Sequence, residues 1–318
     1  MSKPDATSAD MIAIDWGTTN CQASLLDANG VELDTRRVPE GAGGLHSDQF
    51  ESVFERLVAG WPDLPVWICG MAGSRQGWRE APYLSCPALL SDLGSRITQV
   101  CTASGRIVRI VPGLLYRDSR DNADIMRGEE TQIAGLLAQQ DDFEGLAILP
   151  GTHCKWVAVK DGKVTRFQTF LTGELYSLLA TASILRHCVS HHEAEITADH
   201  PAFLTGFDDV ISGRVPLVSG LFQIRAQDVL NGAQKDDSAA RLSGLMIGAE
   251  FAAAQSGGWF KDGNQGGQDG FIIGGPGLTP LYAKACERVG IRPRTLFGLD
   301  ASTKGLWYLA HKQSMTTP

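Results

Sequence analysis

One piece of local grammar is written twice in this chain of 318 residues. An apolar run ends in a glycine–threonine turn, and a second apolar run follows at once. The first copy holds Ile12 and Ile14, then Asp15-Trp16-Gly17-Thr18-Thr19-Asn20, then Ala23 and Leu25 in alternation. The second holds LAILP at 146–150, then Gly151-Thr152-His153-Cys154-Lys155, then WVAVKDGKVTRFQTF. Each copy leads to a dipeptide suited to a tight hairpin, Asn29-Gly30 and Asp161-Gly162. Such a repeat predicts two α/β domains related by a weak internal duplication, and the chain is long enough to build both.

The remaining segments fill in that frame. A strand is expected at 31–38, and residues 48–59 carry Phe50, Val53, Phe54, Leu57 and Val58 at helical spacing. VWICGMAG reads as a buried strand running into a glycine-rich turn, and IVRIV at 107–111 as another strand. A helix is expected from Gly128, with Ile133, Leu136 and Leu137 on one face. Helices follow at 172–192, 238–254, 279–289 and near 302–311, and FIIGG is a strand. Residues 256–270 read as a glycine-rich surface loop. Hinges are expected near 141–145 and 297–302.

Composition excludes several classes. Hydrophobic residues make up 43% and charged residues 20%, a globular balance. The net charge is -8, so no basic stripe is there to neutralise nucleic-acid phosphates. A small anionic substrate needs only a few local Arg or Lys and stays compatible. The 7 cysteines contain no CxxC pair, which removes zinc ribbons and thioredoxin motifs. They read as small buried residues in a reducing cytoplasm. The first ten residues, MSKPDATSAD, read as a polar, flexible leader without the apolar core of a signal peptide, and no run is long enough to span a bilayer.

Four motifs carry candidate chemistry. In the first, Gly17 lets backbone approach a phosphate, and Thr18, Thr19 and Asn20 supply donors. Asp15 cannot face a bare phosphate and is better explained by a Mg²⁺ between them. In the second, Gly151 and Thr152 repeat that logic, and Lys155 is either a phosphate contact or a solvated strand residue. Two such turns could hold the β- and γ-phosphates from opposite walls of a cleft. In the third, Gly274, Gly275 and Gly277 end a strand before a helix, as a floor for adenosine or as an ordinary turn. In the fourth, Met126-Arg127-Gly128-Glu129-Glu130 opens a helix, where acids suit the dipole. Glu129 is the candidate general base, and Glu130 could trade places with it. There is no GxxxxGK[ST], so a P-loop is not supported.

In this order the four motifs resemble the actin, hexokinase and heat-shock ATPase superfamily. AIDWGTTN, GMAGSRQGW, APYLSCPA, MRGEETQ, LPGTHCKWV, LTGEL and SGLMIGAE together resemble the 2-dehydro-3-deoxygalactonokinase family, over about residues 11–311. That resemblance implies two ribonuclease H-like α/β domains, the actin-like ATPase fold, flanking a nucleotide cleft. Residues 1–143 would carry the first phosphate loop and the substrate residues. Residues 144–318 would carry the second phosphate loop and the adenosine loop, with a return of the last helix to the first domain left open. It further implies ATP and Mg²⁺ as cofactors, a small sugar acid as partner, a cytoplasmic location and no membrane or nucleic-acid partner. A homodimer is left open. One departure from the superfamily is Pro150, where an Asp usually precedes the second Gly-Thr, and this shifts the acid chemistry toward Asp15 and Glu129.

For a substrate bearing a carboxylate, Arg75 and Arg127 are the candidate cations. Ser74, Trp78 and Tyr83 could wall the sugar, with core packing as the plainer use of such rings. Glu130, Thr172 and Glu174 could hydrogen-bond sugar hydroxyls, and for Thr172 and Glu174 a helix cap is an equal reading. Rivals are a kinase of another sugar in the superfamily, an ATP-hydrolysing regulatory module, and a phosphatase of exopolyphosphate.

Overall fold

The computed structural model describes residues 8–190, 196–261 and 268–312. Most of the expected leader, residues 262–267 of the expected glycine-rich loop and the end of the expected helix at 191–192 lie outside the described residues. The chain divides into two compact units. One comprises Met1–Glu144, Ala158–Phe167 and Gly298–Pro318; the other comprises Gly145–Val157 and Gln168–Phe297.

The first unit begins with strands β1 (Ala9–Trp16), β2 (Cys21–Asp27) and β3 (Glu32–Val38), then helix α1 (Phe50–Leu57) and β4 (Val66–Gly70). It continues with β5 (Tyr83–Ser85), β6 (Ala88–Leu89), β7 (Thr98–Cys101), β8 (Ile107–Ile110), β9 (Gly113–Arg117), β10 (Ala123–Met126) and helix α2 (Glu129–Gln139). Its main sheet runs β3-β2-β1-β4-β8-β7. β1 is antiparallel to β2 and parallel to β4. The spacing of Phe50, Val53, Phe54 and Leu57 explains why α1 forms: those four side chains are buried and join Ile12, Ile14 and Trp16 in one core. Each such burial stabilises by about 1.5–3 kcal/mol.

The second unit holds β11 (Gly145–Leu149), β12 (Cys154–Lys160), β13 (Lys163–Phe170), α3 (Thr172–Ala182), α4 (Pro201–Ile211), α5 (Leu217–Asn231), α6 (Lys235–Ser256), β14 (Gln268–Gly274), α7 (Thr279–Arg288) and β15 (Ile291–Phe297). The strand order is β15-β14-β11-β12-β13. The tip of the β12–β13 hairpin counts with the first unit, where Val164 pairs with Ala88 of β6. Asp161 and Gly162 both have positive φ there, as the Asp-Gly dipeptide predicts. The last element among the described residues is α8 (Gly298–Lys312), which belongs to the first unit.

The two sheets share one strand order, as the repeated motif predicts. β3-β2-β1-β4-β8 and β13-β12-β11-β14-β15 follow one plan, a three-strand meander continued by parallel strands. In each sheet the Gly-Thr turn follows the central strand, β1 or β11. The turn therefore sits at a carboxyl edge, beside the end of a parallel neighbour, where α/β sheets bind ligands.

Some elements differ from expectation. The helix expected over 172–192 breaks at Ser183, whose hydroxyl caps a separate turn at Ile184–His187. α4 and α5 carry no expectation from periodicity. In α5 the reason is plain: Val218, Phe222 and Leu230 are among the most exposed apolar side chains, so its sequence shows no polar outer face. α2 and α8 cross at two glycines. A Cβ on Gly135 would lie 1.9 Å from the Ala301 carbonyl oxygen, and one on Gly305 would lie 1.9 Å from that of Thr131.

Candidate active site

In the first unit the pair Trp16–Cys21 closes the β1–β2 hairpin and leaves 17–20 as its turn. The segment 41–43 straps that turn from one side: the Ala42 N–H donates to the Gly17 carbonyl and the Gly43 N–H to the Thr18 carbonyl, both at 2.9 Å. A Cβ on Gly41 would lie 2.3 Å from the Thr18 oxygen, so only glycine permits this approach. The turn is thus fixed from behind, while Thr18, Thr19 and Asn20 remain exposed.

Three backbones converge on Asp15. It precedes the turn on β1. Gly70 ends β4 beside it with φ +83°, and a Cβ there would lie 2.6 Å from the Trp16 oxygen and 3.4 Å from Asp15 Oδ1. Gly128, with φ +106°, approaches Gly70 and starts α2, so Glu129 and Glu130 enter at the same place. Burial above all, with the Glu129 charge, pushes the Asp15 carboxyl above its usual range; Ser302 of α8 and Cys69 partly oppose this.

The two glutamates differ. Glu130 is fully buried and accepts from the Gly128 N–H at 2.7 Å and the Thr131 hydroxyl at 2.9 Å. Burial first, then the Glu129 charge, raises its pKa to about 7. Glu129 is half-buried, and its Oε2 accepts from the Arg127 N–H at 3.1 Å.

Arg127 is buried, with its guanidinium carbon 4.4 Å over the Tyr83 ring. Nη2 donates to the Ala81 carbonyl at 2.7 Å, while Nε and Nη1 have no hydrogen-bond partner among the described residues. Tyr83 also lines a cavity of about 560 Å³ with Ser85, Asp92 and Arg96. Ser74 is buried and Arg75 exposed. Trp78 packs against Trp16, Phe50 and Phe54, with ring centroids 6.1, 6.4 and 5.5 Å away. That ring serves the core of its unit, which is the plainer of its two expected uses.

In the second unit the turn at 151–153 ends β11, and Gly274 ends β14 beside it; a Cβ on Gly274 would lie 3.4 Å from Pro150 Cδ. Gly151, Gly275 and Gly277 would each meet nothing within 4 Å if given a Cβ, and none has positive φ. The fold does not demand glycine at these three positions. Open space at a carboxyl edge is what a ligand needs. The start of α3 backs the turn: the Glu174 N–H donates to the Thr152 carbonyl at 3.0 Å, and a Cβ on Gly173 would lie 2.3 Å from the Gly151 oxygen. His153 Nε2 lies 2.5 Å from Glu174 Oε2. Lys155 is buried and donates to the His153 carbonyl at 2.8 Å, so it is not a solvated strand residue. Thr172 is buried and donates its hydroxyl to Glu250, which turns that group away from the sugar-contact role expected of it.

The structure gathers Asp15, Glu129, Glu130, Arg127 and Tyr83 near the first turn of one unit. It gathers Thr152, Glu174 and Gly274 around the second turn of the other. Sequence reasoning missed Cys69, Ser302 and Glu250. Glu250 left a signal: an acid four residues after Met246, on the apolar face of a helix.

Two α/β units of one strand order, each with a Gly-Thr turn at the carboxyl end of its central strand, make the two-domain fold of the actin-like ATPases. The kinases of that fold are the class to which this chain conforms. The sequence profile of the 2-keto-3-deoxy-galactonokinase family matches residues 15–309, and the chain belongs to that family of sugar-acid kinases. It is 36% identical over 308 residues to the probable 2-dehydro-3-deoxygalactonokinase of Rhizobium meliloti (strain 1021), covering 93% of this chain and 97% of that protein. It is 34% identical over 305 residues to the 2-dehydro-3-deoxygalactonokinase of Escherichia coli (strain K12), covering 95% and 98%. A crystal structure from Sinorhizobium meliloti, assigned as a 2-dehydro-3-deoxygalactonokinase, superposes with a TM-score of 0.85 at 36% identity, covering 97% of both chains.

Proposed function

We propose that this chain transfers the γ-phosphoryl group of ATP to the C6 hydroxyl of 2-dehydro-3-deoxy-D-galactonate, giving the 6-phosphate in D-galactonate catabolism. The observation that carries the chemistry is the convergence of β1, β4 and α2. It sets exposed turn donors, Asp15 and Glu129 in one place.

In this reading Gly17, Thr18, Thr19 and Asn20 are the phosphate contacts of the first unit, and Gly151 and Thr152, with Lys155 adding charge behind them, are those of the second. Adenosine lies on Gly274, Gly275 and Gly277. Among the described residues no cluster of three or more His, Cys, Asp or Glu side chains could hold a metal. Mg²⁺ does not need one, since it takes one or two carboxylates and completes its shell with phosphate and water. A carboxylate pushed up by burial, and further by a neighbouring charge, is a fitting partner for such a cation, because the cation offsets both costs. Asp15 would hold it, and it would supply neutralising charge to the transferring phosphoryl group.

Glu129 takes the proton of the C6 hydroxyl. Its half-exposed carboxylate can reach a substrate, whereas both oxygens of Glu130 are engaged in holding the start of α2. The titration of Glu130 near neutrality does not outweigh that geometry, because a base must first touch its proton. Arg127 is the candidate for the substrate carboxylate, supported by two guanidinium nitrogens, Nε and Nη1, without hydrogen-bond partners among the described residues. Arg75, Ser74, Tyr83 and Glu174 are the remaining candidates for sugar contacts. Most of the rate comes from positioning and charge stabilisation, as in phosphoryl transfer generally. The reading places the enzyme in the cytoplasm, with no nucleic-acid partner; no helix among the described residues is long and apolar enough to cross a membrane.

The test is coupled ADP detection with Mg-ATP and a panel of sugar acids. The reading expects turnover with 2-dehydro-3-deoxy-D-galactonate and a lower kcat/KM for its C4 epimer. ATP hydrolysis indifferent to every sugar acid would overturn it in favour of a regulatory ATPase.

A further inference from the structure

Glu250 is a charged residue in an apolar place. It lies on α6 among Met246, Ile247, Phe251 and Ala254, and is 3% exposed. A carboxylate there costs several kcal/mol unless its lone pairs are satisfied. They are. Oε1 accepts from Cys154 Sγ at 2.9 Å and from Trp156 Nε1 at 2.7 Å. Oε2 accepts from the Tyr282 hydroxyl at 2.7 Å and from the Thr172 hydroxyl. All four donors are buried. Burial raises the carboxyl pKa, and the four donors each draw it back.

The positions of the donors say what the network does. Cys154 and Trp156 are i and i+2 on β12, hence on one face, and Cys154 is the first strand residue after the turn at 151–153. Thr172 is the first residue of α3. The next residue, Gly173, lies against the Gly151 carbonyl, and the Glu174 N–H holds the Thr152 carbonyl. Tyr282 lies on α7, the helix that follows the glycine loop at 274–278. One carboxylate thus holds the strand that leaves the turn, the helix that backs it and the helix beyond the neighbouring loop.

We infer that Glu250 is a positioning residue for the kinase reaction: by binding β12, α3 and α7 together it sets the Gly151–Thr152 turn and the 274–278 loop in the geometry that receives ATP. This rests on the reading of that turn as a phosphate-binding element.

Four variants, each assayed for kcat and for both KM values, test it. In Glu250→Gln the amide oxygen still serves Cys154 and Trp156, and the Thr172 and Tyr282 hydroxyls can turn to accept from the amide NH₂. KM for ATP should rise by about threefold or less. Glu250→Leu leaves four donors without an acceptor, and KM for ATP should rise by about thirtyfold or more, with KM for the sugar acid within about twofold. Tyr282→Phe removes one donor without opening a cavity, and a rise of about three- to tenfold in KM for ATP alone is expected. Should Glu250→Leu fail to fold, Tyr282→Phe and Glu250→Gln decide the matter.

Gly151→Val is the control, since a Cβ there meets nothing within 4 Å. If it raises KM for ATP while Tyr282→Phe and a folded Glu250→Leu stay within twofold of wild type, the inference fails and the turn assignment survives. If Gly151→Val leaves KM for ATP unchanged, the turn assignment itself fails. Equal rises in both KM values for Tyr282→Phe would mean a merely structural network and would also overturn the inference.

Discussion

The two Gly-Thr turns occupy equivalent places in equivalent sheets, yet each is supported differently. Behind the first, Asp15 sits on the strand itself, and Glu129 and Glu130 gather beside it. Before the second stands Pro150, which has no charge to offer. Its carboxylate is Glu250, supplied from a helix and saturated with four donors. Carboxylates raised by burial and by a neighbouring charge keep electrostatic work in reserve for a cation or a proton. A carboxylate fully satisfied by buried donors has none left and can only fix shape. The two frames share one strand plan, yet one gathers carboxylates with raised pKa at its turn and the other a single carboxylate saturated with donors.

Several substitutions can break or sharpen that contrast. The largest effect is expected from Glu129→Gln and Asp15→Asn: kcat should fall by about two to four orders of magnitude with the fold intact by circular dichroism. Losses under tenfold in both would move the chemistry away from the first unit. Next comes Gly305→Ala. The added carbon would meet the Thr131 carbonyl at 1.9 Å and push α8 from α2, the helix that carries Glu129. Urea denaturation should show a loss of about 3 kcal/mol, the upper part of the usual overpacking cost.

The last concerns Glu130→Gln. The folded state raises this carboxyl from 4.5 to about 7, so it binds its proton more tightly folded than unfolded. Its contribution is therefore best below 4.5 and falls as pH rises toward 7. Across that window the glutamine variant should gain on wild type by about 3 kcal/mol, read from denaturation midpoints at several pH values. Parallel curves would remove the case for a strained carboxyl at Glu130.

Much of this was legible in the sequence, for reasons of period and punctuation. β1, β4, β11 and β14 are continuous apolar runs that end in glycine-bearing turns, and buried central strands give that signal. α1 and α6 announced themselves by 3.6-residue spacing. α5 did not, because its apolar residues face outward. Asp15 stood out by its place before Gly17 and Glu129 by its place after Gly128; Gly128 carries positive φ, and so does Gly70, which local sequence does not place beside Asp15. Ser302 could not be read, since its approach to Asp15 depends on α8 returning from the far end of the chain. For Thr172 and Trp78 a ligand contact stood beside a plainer use, and local sequence could not show that one donates to Glu250 and the other packs on Phe54. Which face a side chain takes in a tertiary network is not written in its local motif.

The central claim is that the first turn receives the phosphates of Mg-ATP beside Asp15. Amide hydrogen exchange, with and without Mg²⁺ and a non-hydrolysable ATP analogue, reads it residue by residue. The account predicts slowed exchange at residues 17–20 that saturates with the analogue and is lost in Asp15→Asn. Unchanged exchange at residues 17–20 under a saturating analogue would contradict it.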